Sequence, residues 1–279
     1  MYKITEKEFQ SPNVVKLVVE APEISRSRKA GHFVIIRIDE SGERVPLTIV
    51  DSDPEKGTIT LIVQKVGVTS HKLTLLEKGD FILDVAGPLG KSTHIEKVGT
   101  VLCCGGGVGV APLYPIVSAM KKAGNKVISV LAAKSANLLL LEKEINACSD
   151  EVIIMTDDGS RGKKGLITIG MEEIINREKV DLAIVIGPAI MMKFGALLTK
   201  KYGIKTMASL NTIMVDGTGM CGACRVTVDG KTAFVCVDGP EFDAHQVNFE
   251  EMLLRLNAYK EMEEESYSQC SLKPVLDER

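Results

Sequence analysis

Along the first hundred residues, apolar and polar positions fall into short β-branched runs, VVKLVVEAP, HFVIIRID and GTITLIVQKV, divided by Gly, Pro, Asp and Ser. About six strands at that spacing predict a small closed barrel over residues 1–97. From residue 98 the texture changes. GTVLCCGGGVGVAPL reads as a buried strand, a glycine turn and a helix start, followed by a helix over 113–123 that Gly124 stops. Strand KVISVLAA, an apolar helix over 138–145, and strands EVIIMTDD and DLAIVIGP follow. Strands alternating with helices predict a parallel doubly wound sheet over 98–210. After that, glycines and cysteines crowd residues 216–238, within a C-terminal segment spanning 211–279. Its end, NFEEMLLRLNAYKEMEEE, has apolar residues at helical spacing beside a strongly charged face. That face is expected to be solvated, with contact to a partner as the alternative.

Composition narrows the function classes. With 279 residues, 45% hydrophobic and 25% charged, the chain has room for two compact domains and an appendage. A net charge of -3 leaves no basic footprint for nucleic acid. The longest apolar run, over 182–192, is too short to span a bilayer and is broken by Gly187-Pro188, so no membrane span is expected. MYKITEKEF lacks the apolar core of a secretory signal, which favours a cytoplasmic protein. In a reducing compartment, a group of three among the seven cysteines suggests metal binding more than disulfides. Cys103 and Cys104 end an apolar strand and read as small core residues.

That group lies in MVDGTGMCGACRVTVDGKTAFVC. Cys221 and Cys224 enclose two residues, and Cys236 follows after eleven more. Gly217, Gly219, Gly222 and Ala223 surround them, and small residues let backbone N–H groups approach inorganic sulfide. Plant-type [2Fe-2S] proteins use C-x4-C-x2-C and a later cysteine. Here Asp216 stands in the first place, and a carboxylate can ligate iron while keeping the charge of a thiolate. The expected metal ligands are therefore Asp216, Cys221, Cys224 and Cys236 around a [2Fe-2S] cluster. A structural zinc on the same side chains, a thiol-rich loop without metal, and Asp216 as a mere turn former in VDGTG stay open.

Gly105, Gly106, Gly107 and Gly109 sit between a strand and a helix, where a pyrophosphate can approach the backbone and the helix N-terminus. The turn departs from G-x-G-x-x-G, and tight packing alone would also explain it. Pro112 suits a first helical turn. Asp157 and Asp158 follow one strand and Gly187-Pro188 another, both at ends where ligands of open α/β sheets gather; a polar turn is the plainer account of the Asp pair. Lys134 and Ser135 follow KVISVLAA without an arginine cluster for a 2′-phosphate, which points to NADH over NADPH. No histidine sits in a catalytic pattern, and surface or loop roles are expected for His71 and His94.

The order of barrel, GGGVGVAPL, TDDGS, a GP-x2-M segment and DGTGMCGAC resembles the ferredoxin–NADP reductase superfamily. It is more similar to dihydroorotate dehydrogenase electron-transfer subunits, and most similar to small subunits of NADH-dependent reduced ferredoxin:NADP oxidoreductases. The resemblance covers nearly the whole chain. It implies a β-barrel plus α/β, ferredoxin reductase-like fold with a small C-terminal iron–sulfur subdomain. It also implies FAD, which composition could not show. Arg44-Val45-Pro46-Leu47-Thr48 would occupy the element under the flavin, with Pro46 and Leu47 along the ring, Thr48 near N5 and Arg44 toward phosphate. Arg44 is one residue farther from Thr48 than the superfamily pattern has it. Gly67, Thr69 and Ser70 would hold the FAD pyrophosphate, and Gln64 would also face the cofactor. Gly106, Gly107, Gly109, Ala111, Pro112, Asp157, Asp158, Gly187 and Pro188 would bind NAD(H). No acid–base side chain is required, because the cofactor carries the hydride chemistry. The implied partner is a larger flavin and iron–sulfur subunit in a heterodimer, through which ferredoxin is reached during electron bifurcation. The Asp216 departure favours the ferredoxin:NADP reading over the dihydroorotate dehydrogenase one; a non-catalytic flavin redox sensor is a third.

Overall fold

A computed structural model describes residues 1–270. The first sheet comprises β1 (Tyr2–Ser11), β2 (Val14–Glu20), β3 (Phe33–Arg37), β4 (Val45–Asp53), β5 (Thr58–Gln64), β6 (Phe81–Ile82) and β7 (Asp84–Leu89), with α1 (Pro22–Ser27) and α2 (Val68–Leu75) between strands. Its order is β6-β1-β2-β5-β4-β3-β7, antiparallel throughout. The two edge strands are separated in sequence by Leu83 alone, so the sheet curls until its edges nearly meet. Burial alternates along β2, where Val15, Leu17 and Val19 turn inward with Ile59, Leu61 and Val63 of β5 to fill the barrel.

The second sheet contains β8 (Thr100–Gly106), β9 (Lys126–Ala133), β10 (Glu151–Thr156), β11 (Lys163–Lys164), β12 (Leu182–Ile186) and β13 (Thr206–Ser209). Helices α3 (Val110–Lys122), α4 (Glu142–Cys148), α5 (Ile167–Arg177) and α6 (Ala189–Lys201) connect them. These strands are parallel, and β8, β9 and β12 at the centre are buried on both faces, which is why they read as unbroken apolar runs, whereas β11 at the edge is a pair of exposed lysines. Cys103 and Cys104 point to opposite faces, and both are fully buried. The expected helix over 138–145 starts later, at Glu142. Leu138 and Leu140 turn into a cavity wall, Leu141 takes φ 51°, and acidic Glu142 and Glu144 then suit the positive end of a helix.

The C-terminal segment adds β14 (Arg225–Val228), β15 (Lys231–Phe234), α7 (Val235–Asp238), β16 (Glu241–Asp243), α8 (Phe249–Leu256) and α9 (Lys260–Gln269). It is not a free appendage. β16 pairs antiparallel with β13 and completes the order β11-β10-β9-β8-β12-β13-β16. Cys224, Val235 and Cys236 share one buried core with Phe33 and Ile35 of the barrel and with the α5–α6 face of the second sheet. No helix among the described residues is long and apolar enough to cross a membrane.

Candidate functional site

The second sheet reverses its winding beside β8, with β9 on one side and β12 on the other, and a crevice opens at the C-terminal ends of these strands. The crevice joins the barrel face of β4 and β5 in one cavity of about 2290 Å3. Pro46, Leu47, Thr48, Gln64, Gly67, Thr69 and Ser70 line it from the barrel. Gly106, Gly107, Gly109, Ala111, Pro112, Asp157, Gly187 and Pro188 line it from the α/β sheet. Of the dinucleotide and flavin positions expected from the sequence, Arg44 and Asp158 are outside the lining.

Both have other partners. Arg44 Nε donates to the Val215 carbonyl at 2.8 Å, tying the β4 entry to the cysteine-rich loop. Asp158 Oδ1 accepts from the Ser160 N–H at 2.9 Å and from Ser160 Oγ at 2.6 Å, and the hydroxyl bond is the main reason its carboxyl lies below the usual range. Asp158 is therefore the polar turn former, whereas Asp157 faces the cavity.

At the N-terminus of α2, Ser70 Oγ accepts from the N–H groups of Val66 and Gly67 at 2.9 Å each. Thr69 Oγ1 donates to Glu43 Oε2 at 2.6 Å. Glu43 was not expected; it lines the cavity beside the RVPLT element and fixes the Thr69 hydroxyl. A Cβ on Gly67 or Gly107 would meet nothing within 4 Å, so both backbones stand open to the cavity. Gly107 takes φ 55°, a conformation that favours glycine. Apolar β4 residues, open glycine backbone and the first-turn N–H groups of α2, which the helix itself leaves without carbonyl partners, fit a flavin ring and its pyrophosphate. His71 is not at the surface: it lies buried in α2 with its ring edge-on to Tyr267 at 5.9 Å. Burial, with Lys65 nearby, lowers its pKa. His94 is exposed, with Nε2 3.3 Å from Glu96.

Beside Ile35 of β3, Asp216, Cys221, Cys224 and Cys236 come together in two pairs. Cys221 Sγ is 3.4 Å from Asp216 Oδ1, and Cys224 Sγ is 3.1 Å from Cys236 Sγ. Cys224 and Cys236 are buried and Cys221 is exposed. Among the described residues, no three Cys, His, Asp or Glu side chains converge on one metal ion. Four donors in two pairs match a two-iron cluster, which takes two protein ligands per iron, better than a tetrahedral zinc. Asp216 also accepts from the N–H of Thr218 at 3.0 Å and of Cys221 at 3.0 Å, so it shapes the turn as well. These bonds, the Thr218 N–H first, hold its carboxyl below the ordinary range. Burial, with the neighbouring Cys224 thiol, pushes Cys236 up to about 12, a site where a bare thiolate is costly and a metal would be its counter-charge. Gly217 takes φ 78° and presses on Leu89 and Ile35 of the barrel, while Arg255 of α8 donates to the Ala223 carbonyl at 3.2 Å. The charged C-terminal stretch thus braces the loop, a contact that helical spacing alone does not reveal.

Residues 1–94 match the oxidoreductase FAD-binding domain family, and residues 211–248 match the iron–sulfur cluster binding domain of dihydroorotate dehydrogenase B. The chain is 47% identical to a dihydroorotate dehydrogenase B (NAD(+)), electron transfer subunit homolog of Thermotoga maritima, over 95% of this chain and 94% of that protein. It is 34% identical to the dihydroorotate dehydrogenase B (NAD(+)), electron transfer subunit of Bacillus caldolyticus, over 80% and 88%. A chain from the structure of the NADH-dependent reduced ferredoxin-NADP oxidoreductase, solved for insights into flavin-based electron bifurcation, superposes with a TM-score of 0.92 at 46% identity, over 96% of this chain and 97% of that one. The domain matches make this chain an oxidoreductase component that carries FAD and an iron–sulfur cluster.

Proposed function

Because the chain belongs to the family of dihydroorotate dehydrogenase B electron-transfer subunits and their homologues, we propose that it is the smaller subunit of an electron-bifurcating NADH-dependent ferredoxin:NADP oxidoreductase. In this reading it exchanges hydride with NAD(H) and passes single electrons to a larger flavin and iron–sulfur subunit in the cytoplasm. The observation that carries it is the Asp216–Cys221 pair, which puts a carboxylate where dihydroorotate dehydrogenase subunits have a fourth cysteine, in a chain similar over nearly its whole length to one from the ferredoxin-linked complex.

When bound, FAD supplies the centre that couples two-electron hydride transfer to one-electron transfer, and the cluster supplies the one-electron relay. The chain's own residues bind, orient and exclude water. Pro46 and Leu47 offer an apolar wall for the flavin ring, and Thr48 a hydroxyl at its edge. The first turn of α2, with Gly67, Thr69 and Ser70, takes the FAD pyrophosphate on backbone N–H groups. Gly107 and the α3 N-terminus take the dinucleotide pyrophosphate, and Pro188 closes the opposite side. Asp216, Cys221, Cys224 and Cys236 ligate iron. Arg44 acts on the cluster side, through Val215, instead of on phosphate.

The names of the curated relatives favour a second reading, service to a dihydroorotate-oxidising partner. Purification of the native complex separates the two. A larger flavin and iron–sulfur subunit, with NADP reduction that requires both NADH and reduced ferredoxin, is the expected result. A partner that oxidises dihydroorotate would replace the proposal with the second reading. The isolated chain should contain FAD with iron and acid-labile sulfide in equal amounts; zinc without sulfide would sink the cluster assignment.

A further inference from the structure

α6 packs one face into the core through Met192, Ala196 and Leu198, and leaves an apolar stripe on the other. Ile190, Phe194 and Leu197 recur at the spacing of one helix face and are all exposed; Lys201 continues the stripe, with Lys200 beside it. The stripe and both lysines line the cavity. α9 crosses the same cavity. Its base is fixed, because Lys193 of α6 pairs with Glu250 of α8 at 2.8 Å. The turn from α8 to α9 is closed by Asn257 Nδ2, which donates to the Leu253 carbonyl at 2.9 Å, and by the Lys260 N–H, which donates to the Asn257 carbonyl at 3.2 Å. The far end reaches α2 on the barrel, where the Tyr267 ring meets buried His71. Neither ring nitrogen of His71 has a hydrogen-bond partner, so covering that ring carries a desolvation cost that water would relieve. Between the two ends no residue of α9 is buried. Tyr259, Met262, Glu263 and Ser266 turn toward the cavity, whereas Glu261, Glu265 and Ser268 lie outside its lining. Among the described residues, Lys200, Lys201 and Glu263 have no ion-pair or side-chain hydrogen-bond partner, while Glu264 stays 3.9 Å from Lys260 of its own helix.

We propose that α9 is a lid, hinged at residues 257–259, that closes onto α6 when a dinucleotide is bound, with Glu263 pairing with Lys200 and Lys201 and Met262 covering Phe194 and Leu197. The inference rests on the reading that the cavity takes NAD(H). The two rims match in kind. Each carries exposed apolar side chains, and the charges beside them are opposite and unspent. A helix of ten residues with no buried side chain has little to hold it in one place, so its position follows the contacts offered to it. A molecule filling the space beneath gives Tyr259 and Met262 apolar surface to rest on, so binding and closure favour each other. Closure also keeps water from the cavity while hydride moves. The His71 end releases readily because its ring gains hydrogen bonds to water on opening. The outer face of α9 stays charged and solvated in either position.

The test is amide hydrogen exchange over residues 260–269 and 190–201 of the purified, flavin-loaded full chain, with and without NAD+, with NADH bleaching of the flavin followed in the same preparations. NAD+ should slow exchange in α9 by about tenfold, the scale of a local closing equilibrium. Glu263→Lys, and separately Lys200→Glu with Lys201→Glu, should each cut that protection by about fivefold, because like charges then face each other. All three substitutions together should restore it. Exchange that ignores NAD+ while NADH bleaches the flavin normally would overturn the lid and leave the hydride reading standing. Protection by NAD+ that the combined variant restores, in a chain that NADH does not bleach, would support the lid and sink the hydride reading. Failure of the combined variant to regain protection would overturn the proposal. So would protection of residues 190–201 that appears only with the larger subunit or only at high chain concentration, which would assign the stripe to a partner or a second copy.

Discussion

The β8–α3 turn and the cluster loop are both rich in glycine, for different reasons. At β8–α3, Gly106 and Gly109 have ordinary backbone angles of φ -121° and -62°, but neither has room for a side chain. A Cβ on Gly106 would lie 2.2 Å from Met191 Sδ, and one on Gly109 would lie 2.6 Å from Gly187 Cα and from the Ile186 carbonyl. These glycines let the turn after β8 close on the turn after β12, and Met191 of the GP-x2-M segment fills the space that Gly106 leaves. In the cluster loop, Gly217, Gly219 and Gly222 all take positive φ, 78°, 84° and 69°; Gly217 also lacks room, since its Cβ would lie 2.6 Å from Leu89 Cδ1, whereas the nearest atom to a Cβ on Gly222 would be Phe234 Cε1 at 3.8 Å. There glycine gives a path that turns the backbone around the donors. A glycine-rich turn is thus no ligand signal in itself. In the first turn, the position open to a ligand is Gly107, which has positive φ and nothing near it.

The comparison breaks most severely at Gly109. Gly109→Ala forces backbone against backbone, and a loss of about 3 kcal/mol or more is expected from denaturant unfolding, with NADH reduction lost as well. Wild-type stability would show that the turn can relax and that packing does not demand this glycine.

In the cluster loop the large effects should fall on the donors. Asp216→Ala should lose most of the iron and labile sulfide, whereas Asp216→Cys should retain a cluster with a changed EPR spectrum, since thiolate is the usual fourth ligand. FAD content and its reduction by NADH should persist in both. An EPR signal unaltered in Asp216→Cys and Asp216→Asn would leave Asp216 only its bonds to Thr218 and Cys221.

Glu241 joins the cluster segment to the barrel end through the Thr93 hydroxyl. Burial pushes its carboxyl from 4.5 up to about 7, with the Thr93 bond opposing in part. Below pH 4.5 the group is neutral in both folded and unfolded chains. As pH rises toward about 7 the unfolded chain ionises first, so stability falls by about 3 kcal/mol across that window and then levels. Glu241→Gln should flatten this slope in unfolding measured between pH 4.5 and 8; an unchanged slope would mean that water reaches the carboxyl.

The smallest effects sharpen the contrast inside each region. Gly107→Ala should cost about 1 kcal/mol for its left-handed backbone, yet weaken dinucleotide binding more than global stability. Arg44→Ala should leave FAD affinity intact and cost about 1 kcal/mol, seen as faster release of iron. Loss of FAD in that variant would return Arg44 to the phosphate.

The amino-acid sequence by itself determined what local pattern can carry. β-branched runs between turn residues marked the barrel, unbroken apolar runs marked the doubly buried parallel strands, and Cys221, Cys224 and Cys236 announced a metal loop by spacing alone. Each depends on neighbours within a few residues, where chain geometry leaves few choices. The tertiary structure decided which of two adjacent aspartates faces the cavity, because Ser160 and the β9–β10 pairing divide their roles. It sent Arg44 to Val215, placed Glu43 on Thr69, set Gly109 against Gly187 and added β16 to the second sheet. Those contacts join segments far apart in the chain, and they follow from how whole sheets and helices close over shared cores, which no local period encodes.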